Sequence, residues 1–118
     1  MNIEEDSVAY EKLRQLESVA KEGCRNGPYL VEGSAAAGRF LIHTEASDSI
    51  LLACEREGSE IVIAVTAFTP GGIRDIYRRS YVATERGLQH PTETNILMTP
   101  KEVMNSAFDS FESRLRVS

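Results

Sequence analysis

Cysteine and histidine are scarce in this chain: its 118 residues hold only Cys24 and Cys54, and only His43 and His90. Two cysteines cannot build a disulfide framework in so short a chain, and both are expected as free thiols in a reducing cytoplasm. Cys54 stands among Ile50, Leu52 and Ala53 and reads as a small core residue. The two histidines have no companions at the spacing of a metal motif, and a metal centre needs three or four convergent ligands. No metal or other cofactor is therefore expected.

Basic charge is also in short supply. Thirteen Lys and Arg stand against eighteen Asp and Glu, for a net charge of −5. Nucleic-acid affinity rests on Lys and Arg neutralising phosphates, so a polynucleotide is not an expected partner. No apolar run approaches the roughly 20 residues that span a bilayer, and no membrane partner is expected. Glu4, Glu5 and Asp6 occupy the place where a secretory signal would carry a basic region, which predicts a cytoplasmic protein. No Gly-x-Ser-x-Gly elbow is present. Gly33 and Gly38 have the glycine spacing of a phosphate-binding loop, but Arg39 and Phe40 follow where Lys and Ser or Thr belong. Cys24 stands at the end of an expected helix, where the negative dipole raises a thiol pKa and disfavours a nucleophile.

What is present is the composition of one ordinary globular domain over residues 1–118, with 42% hydrophobic and 26% charged residues. Val8, Ala9, Leu13, Leu16, Val19 and Ala20 share one arc of a helical wheel over residues 3–22, with Lys12 as the one charged intruder. Asn2 and Glu5 offer a capping box at its start, and Gly23 a left-handed cap at its end. Tyr29-Leu30-Val31 suggests a short edge strand. Strands follow over Arg39–Glu45, Ser49–Glu57 and Glu60–Thr69, with short links at Ala46-Ser47-Asp48 and Gly58-Ser59 that predict antiparallel neighbours.

The segment 73–86 is ambiguous. As a helix it gathers Ile73, Ile76, Tyr77, Ser80, Tyr81 and Thr84 on one arc, and a helix is the favoured reading; as a fourth long strand neither face is clean. Met98-Thr99-Pro100 echoes Phe68-Thr69-Pro70, which favours the helix slightly. Asn95–Met98 suggests a short strand. The last helix has a well-marked start: Thr99 as cap, Pro100 at the first turn, Glu102 completing a capping box, and Met98 with Val103 as a hydrophobic staple. The expected fold class is α+β: an N-terminal helix, an antiparallel meander of three to five strands, and a C-terminal helix packed on the sheet.

Ile61 to Phe68 reads Ile-Val-Ile-Ala-Val-Thr-Ala-Phe, apolar at seven of eight positions without alternation. Side chains alternate across a strand, so this one requires cover on both faces. Two helices suffice for one face of a small sheet. The other face then carries Val62, Ala64, Thr66 and Phe68 (or the opposite set, Ile61, Ile63, Val65 and Ala67), and an apolar face of that size marks an interaction site. Cover comes either from segment 73–86 or curling of the sheet, or from another chain.

A second candidate surface is the basic and aromatic run Arg74, Tyr77, Arg78, Arg79 and Tyr81, of the residue types enriched at binding hot spots. A third candidate is polar: His43 and Glu45 share a strand face and are able to hold a proton between them. The resulting expectation is a small soluble non-catalytic protein that associates with a second copy of itself, as a homodimer, or with another protein, in an adaptor, chaperone-like or inhibitor role. Its element order and acidity loosely resemble those of small acidic secretion chaperones, a likeness that assigns no residue. The alternative is a small-molecule site between sheet and helices, built from His43, Glu45, Arg79 and Tyr81.

Overall fold

The apolar arc of the first helix determines the arrangement of the rest. The structure, a computed structural model, describes residues 3–25, 27, 29–45, 49–93 and 95–117. Helix α1 (Ile3–Cys24) and helix α2 (Pro100–Val117) enclose a meander of seven strands: β1 (Tyr29–Ser34), β2 (Arg39–Thr44), β3 (Ile50–Glu57), β4 (Glu60–Thr69), β5 (Gly72–Thr84), β6 (Gly87–Gln89) and β7 (Leu97–Met98). The strands lie in chain order, each antiparallel to the next. The α+β class and both helices stand as expected. The strand number is seven rather than three to five, because segment 73–86 and the short pieces after it extend the same sheet.

Alternation sorts the strand residues into two sets. Phe40 and Ile42, Ile50, Leu52 and Cys54, Ile61, Ile63 and Val65, Tyr81 and Leu88 are buried in one cluster with Leu13, Leu16 and Ala20 of α1 and Val103, Met104, Ala107 and Phe111 of α2. Both helices therefore cover the same face of the sheet. Tyr29 closes the cluster at the β1 edge, its ring 6.0 Å from that of Phe108 and 5.9 Å from that of Phe111. Burial of this scale, at roughly 25 cal/mol per Å² of apolar surface, is the main driving term for the fold.

The helix expected over 73–86 is instead the long strand β5. Its first residue, Gly72, takes φ +130°, a hairpin conformation open to glycine and closed to a helix start. Across from the strongly β-forming β4, the residues Ile73, Tyr77, Tyr81 and Val82 pair as a strand. Gly23 is not a left-handed cap either: α1 runs through it to Cys24, and the glycine lies against the Phe108 ring. The expected cap at Asn2 and the turn at 46–48 lie outside the described residues.

The Gly33–Gly38 loop joins β1 to β2 through one 3₁₀ turn at Ala35–Ala37, with the Ser34 hydroxyl accepting from the Ala37 amide. Gly33 sits at φ +84°, and a β-carbon there would lie 2.6 Å from the Arg39 carbonyl oxygen. Its glycine serves a tight β-connection.

Candidate functional site

The face turned away from the helices is built from the other parity of each strand. Reading across the sheet, the register aligns Glu32 with Leu41, Leu41 with Ala53, Ala53 with Ala64, and Ala64 with Arg78. One row toward the β4–β5 turn stand Leu30, His43, Leu51, Thr66 and Asp75, and beyond them Ser49, Phe68 and Ile73. One row the other way come Ser34, Arg39, Glu55, Val62 and Ser80. No described helix packs on this surface.

The four residues expected on this face, Val62, Ala64, Thr66 and Phe68, do share it, but unequally. Val62 and Ala64 are only 7% and 8% exposed, and Phe68 is 41% exposed. The small side chains at the centre sit low between longer neighbours, Glu55 and Ser80 beside Val62, Ala53 and Arg78 beside Ala64. Ile73, opposite Phe68, is 73% exposed at the hairpin end. The sheet thus presents apolar residues at one end and a shallow alanine centre. The sequence marks the β4 set and, on the next strand, Leu51 and Ala53; it does not mark Ile73 and Leu41, which join them through register.

The Arg/Tyr run is divided by the strand. A β-bulge between Val65 and Thr66 leaves Ile76 as the extra residue. Asp75 and Arg78 point to the open face. Tyr77, Arg79 and Tyr81 belong to the helix side, where the Arg79 guanidinium lies 4.7 Å from the Tyr77 ring centre. Arg74, opposite Ala67, is on that side as well and exposed. Tyr81 is buried, and burial, reinforced by Tyr77, pushes its hydroxyl pKa up to about 12. The five residues therefore form no single patch: only Arg78 reaches the open face.

His43 and Glu45 do not form the expected pair. His43 Nε2 lies 3.4 Å from Glu32 Oε1 on the neighbouring strand, and its Nδ1 faces the Thr44 carbonyl at 3.3 Å. Glu45 lies just past the end of β2, exposed. Beside His43 is an open hollow of about 650 Å³ lined by Glu32, Leu41, His43, Ser49, Leu51 and Phe68. Glu45, Arg79 and Tyr81 do not line it. A general acid or base requires a partner within hydrogen-bond reach, and the carboxylate that meets His43 is the exposed Glu32, at 3.4 Å.

The remaining polar candidates have structural surroundings. The His90 ring Nδ1 accepts from the backbone amides of Thr92 and Glu93 at 3.3 and 3.0 Å, holding the loop before β7. Cys24 and Cys54 are free and buried, and burial raises both thiol pKa values. Among the described residues no group of three or more His, Cys, Asp or Glu is placed to hold a metal ion, and no helix is long and apolar enough to cross a membrane. Compared with family models, curated proteins and solved structures, the chain matches none of them.

Proposed function

We propose that this chain is a non-catalytic protein that works by associating with another protein chain through the open face of its sheet, in the first place as a homodimer. One observation carries the reading: both helices cover one face, and the other face exposes Leu30, Phe68 and Ile73, with half-buried Leu41 and Leu51 around a floor of Ala53, Val62 and Ala64. Exposed apolar residues gathered on one surface, with charge at the margin, are the usual composition of a protein-binding site. The small-molecule alternative has weaker support, because the hollow on this face holds only His43 of the four polar groups it would need.

Sedimentation at micromolar concentration tests the reading. The expected mass is about twice the 13.1 kDa of the chain. A monomer at every concentration up to the millimolar range sinks the homodimer.

A further inference from the structure

We infer that the second copy docks on the open face about a two-fold axis parallel to the strands and passing over β3, so that Glu32 of each copy meets the partner's Arg78. This inference rests on the association reading above and specifies its geometry. In a closed two-fold dimer the same patch faces itself, so every residue on one side of the axis must suit its counterpart on the other side.

The central row meets that condition. Glu32 stands on β1 and Arg78 on β5, at opposite ends of the row Glu32, Leu41, Ala53, Ala64, Arg78. They are separated by four strand spacings, about 19 Å. Rotation about the β3 axis places β1 over the partner's β5. Each acid then lies over a guanidinium, twice per dimer, while Leu41 lies over the partner's Ala64 and Ala53 over the partner's Ala53. Large over small and small over small lets two sheets approach to the usual ~10 Å.

In the lone chain both charges are poorly held. The Glu32 side chain is 66% exposed, 3.4 Å from His43, and Arg78 is 55% exposed, 3.9 Å from Asp75. Exposed pairs of this kind contribute about 0–1 kcal/mol, so exchanging them costs little.

The same rotation carries Phe68, on β4 in the row of Ser49, past the end of the partner's β2, beside the hollow that His43, Ser49, Leu51 and Phe68 itself line. Each Phe68 then meets the rim of a hollow with mixed polar and apolar lining, in both directions. Glu55 lies on the axis and works against the pairing, but its cross-strand neighbour on the same face is Arg39. Five strands and four rows give about 600 Å² per copy, so about 1,200 Å² in all, the lower end of the range for specific interfaces.

Charge reversal tests the register. Glu32→Arg alone and Arg78→Glu alone are each expected to weaken self-association by about tenfold or more, since each creates two like-charge contacts per dimer. Mixed in equal amounts, the two variants are expected to form a heterodimer as tight as the original homodimer, because both contacts are opposite in charge again. Native mass spectrometry separates the three species. If the unaltered chain dimerises but each single reversal dimerises as tightly, or the mixture fails to form heterodimers, this register is wrong and the association reading stands. If the unaltered chain is monomeric, the register and the homodimer both fail. Both side chains are exposed, so the variants should melt with the unaltered chain. Should a reversal lower the melting temperature, Glu32→Gln and Arg78→Gln take its place: each should weaken the dimer severalfold, and no weakening overturns the register.

Discussion

Lys12 Nζ lies 3.4 Å from the main-chain oxygen of Glu85, joining the buried face of α1 to the turn between β5 and β6. The residue that interrupts the apolar arc of α1 therefore has a structural position. Its ammonium also lies 3.4 Å from Gln15 Oε1, and its stem is almost wholly out of solvent. Both contacts are at the long end of hydrogen-bond range. The stem and the tip act separately here: the stem is buried, and the tip makes two weak bonds.

Replacing Lys12 by Met keeps the stem and removes the charge. Substituting an apolar isostere for a buried ionisable group is often neutral or stabilising, so Lys12→Met should change unfolding free energy by less than about 1 kcal/mol. Lys12→Ala removes the stem as well and should cost about 1–2 kcal/mol, within the common range for point variants. Urea unfolding followed by circular dichroism separates the two. A larger loss for Met than for Ala would mean that the bond to Glu85, and not the packing, holds the helix there.

Thr99→Ala should remove about 1 kcal/mol, the typical worth of an N-cap. The Thr99 hydroxyl accepts from the Glu102 amide and the Glu102 carboxylate accepts from the Thr99 amide, each at 3.1 Å. The first helical turn leads directly into Val103 and Met104, both fully buried, so fraying there reaches the core. Thr99→Ser should restore most of the loss in the same urea titration. A Thr99→Ala midpoint equal to that of the unaltered chain would show that packing alone sets the start of α2.

The same tripeptide pattern explains how far the sequence was legible. Thr69-Pro70 looks like Thr99-Pro100, yet it forms a turn. Three residues on stands Gly72 instead of a carboxylate, and the Thr69 hydroxyl donates to the Gly72 carbonyl at 3.0 Å. The capping box, and not the Thr-Pro pair, marks a helix start. Strands β2, β3 and β4 were readable from their apolar content and short links. Strand β5 was not, because the bulge at Ile76 reverses its parity: odd-numbered residues face outward up to Asp75, and even-numbered ones from Arg78. A strand with a mid-length bulge satisfies no single alternation, and its residues then fit a helical arc by accident. The division of the Arg/Tyr run follows from the same bulge. The meeting of His43 with Glu32, and not Glu45, needed the β1–β2 register, which local sequence does not encode.

Stability should fall at alkaline pH in two stages. Burial first, and Tyr77 second, raise the Tyr81 hydroxyl from its ordinary 10.0 to about 12. Below pH 10 the group is protonated folded or unfolded, and its contribution is intact. Between pH 10 and about 12 only the unfolded chain releases the proton, and stability falls by up to ~1.4 kcal/mol per pH unit. Buried Cys54 behaves alike from its ordinary 9.0 upward. Melting temperature plotted against pH should therefore begin to fall near pH 9 and steepen above pH 10. Tyr81→Phe should flatten the upper part and Cys54→Ala the lower. A profile unchanged by Tyr81→Phe would place that hydroxyl in contact with water.

Phe68 and Ile63 lie on one strand, five residues apart, and substitution should separate their roles. Ile63 is fully buried beneath the helices, and Ile63→Ala should cost about 2–5 kcal/mol in unfolding free energy. Phe68 is on the open face near the hairpin end, so Phe68→Glu should leave the unfolding of a dilute monomer within about 1 kcal/mol of the unaltered chain. At micromolar concentration the same substitution puts two carboxylates into the proposed interface, and sedimentation should report a monomer. An unchanged dimer with an unchanged melting temperature would leave Phe68 in solvent and move the interface elsewhere. A strongly lowered monomer stability would mean instead that the ring belongs to the folding core, and the open face would lose its chief anchor.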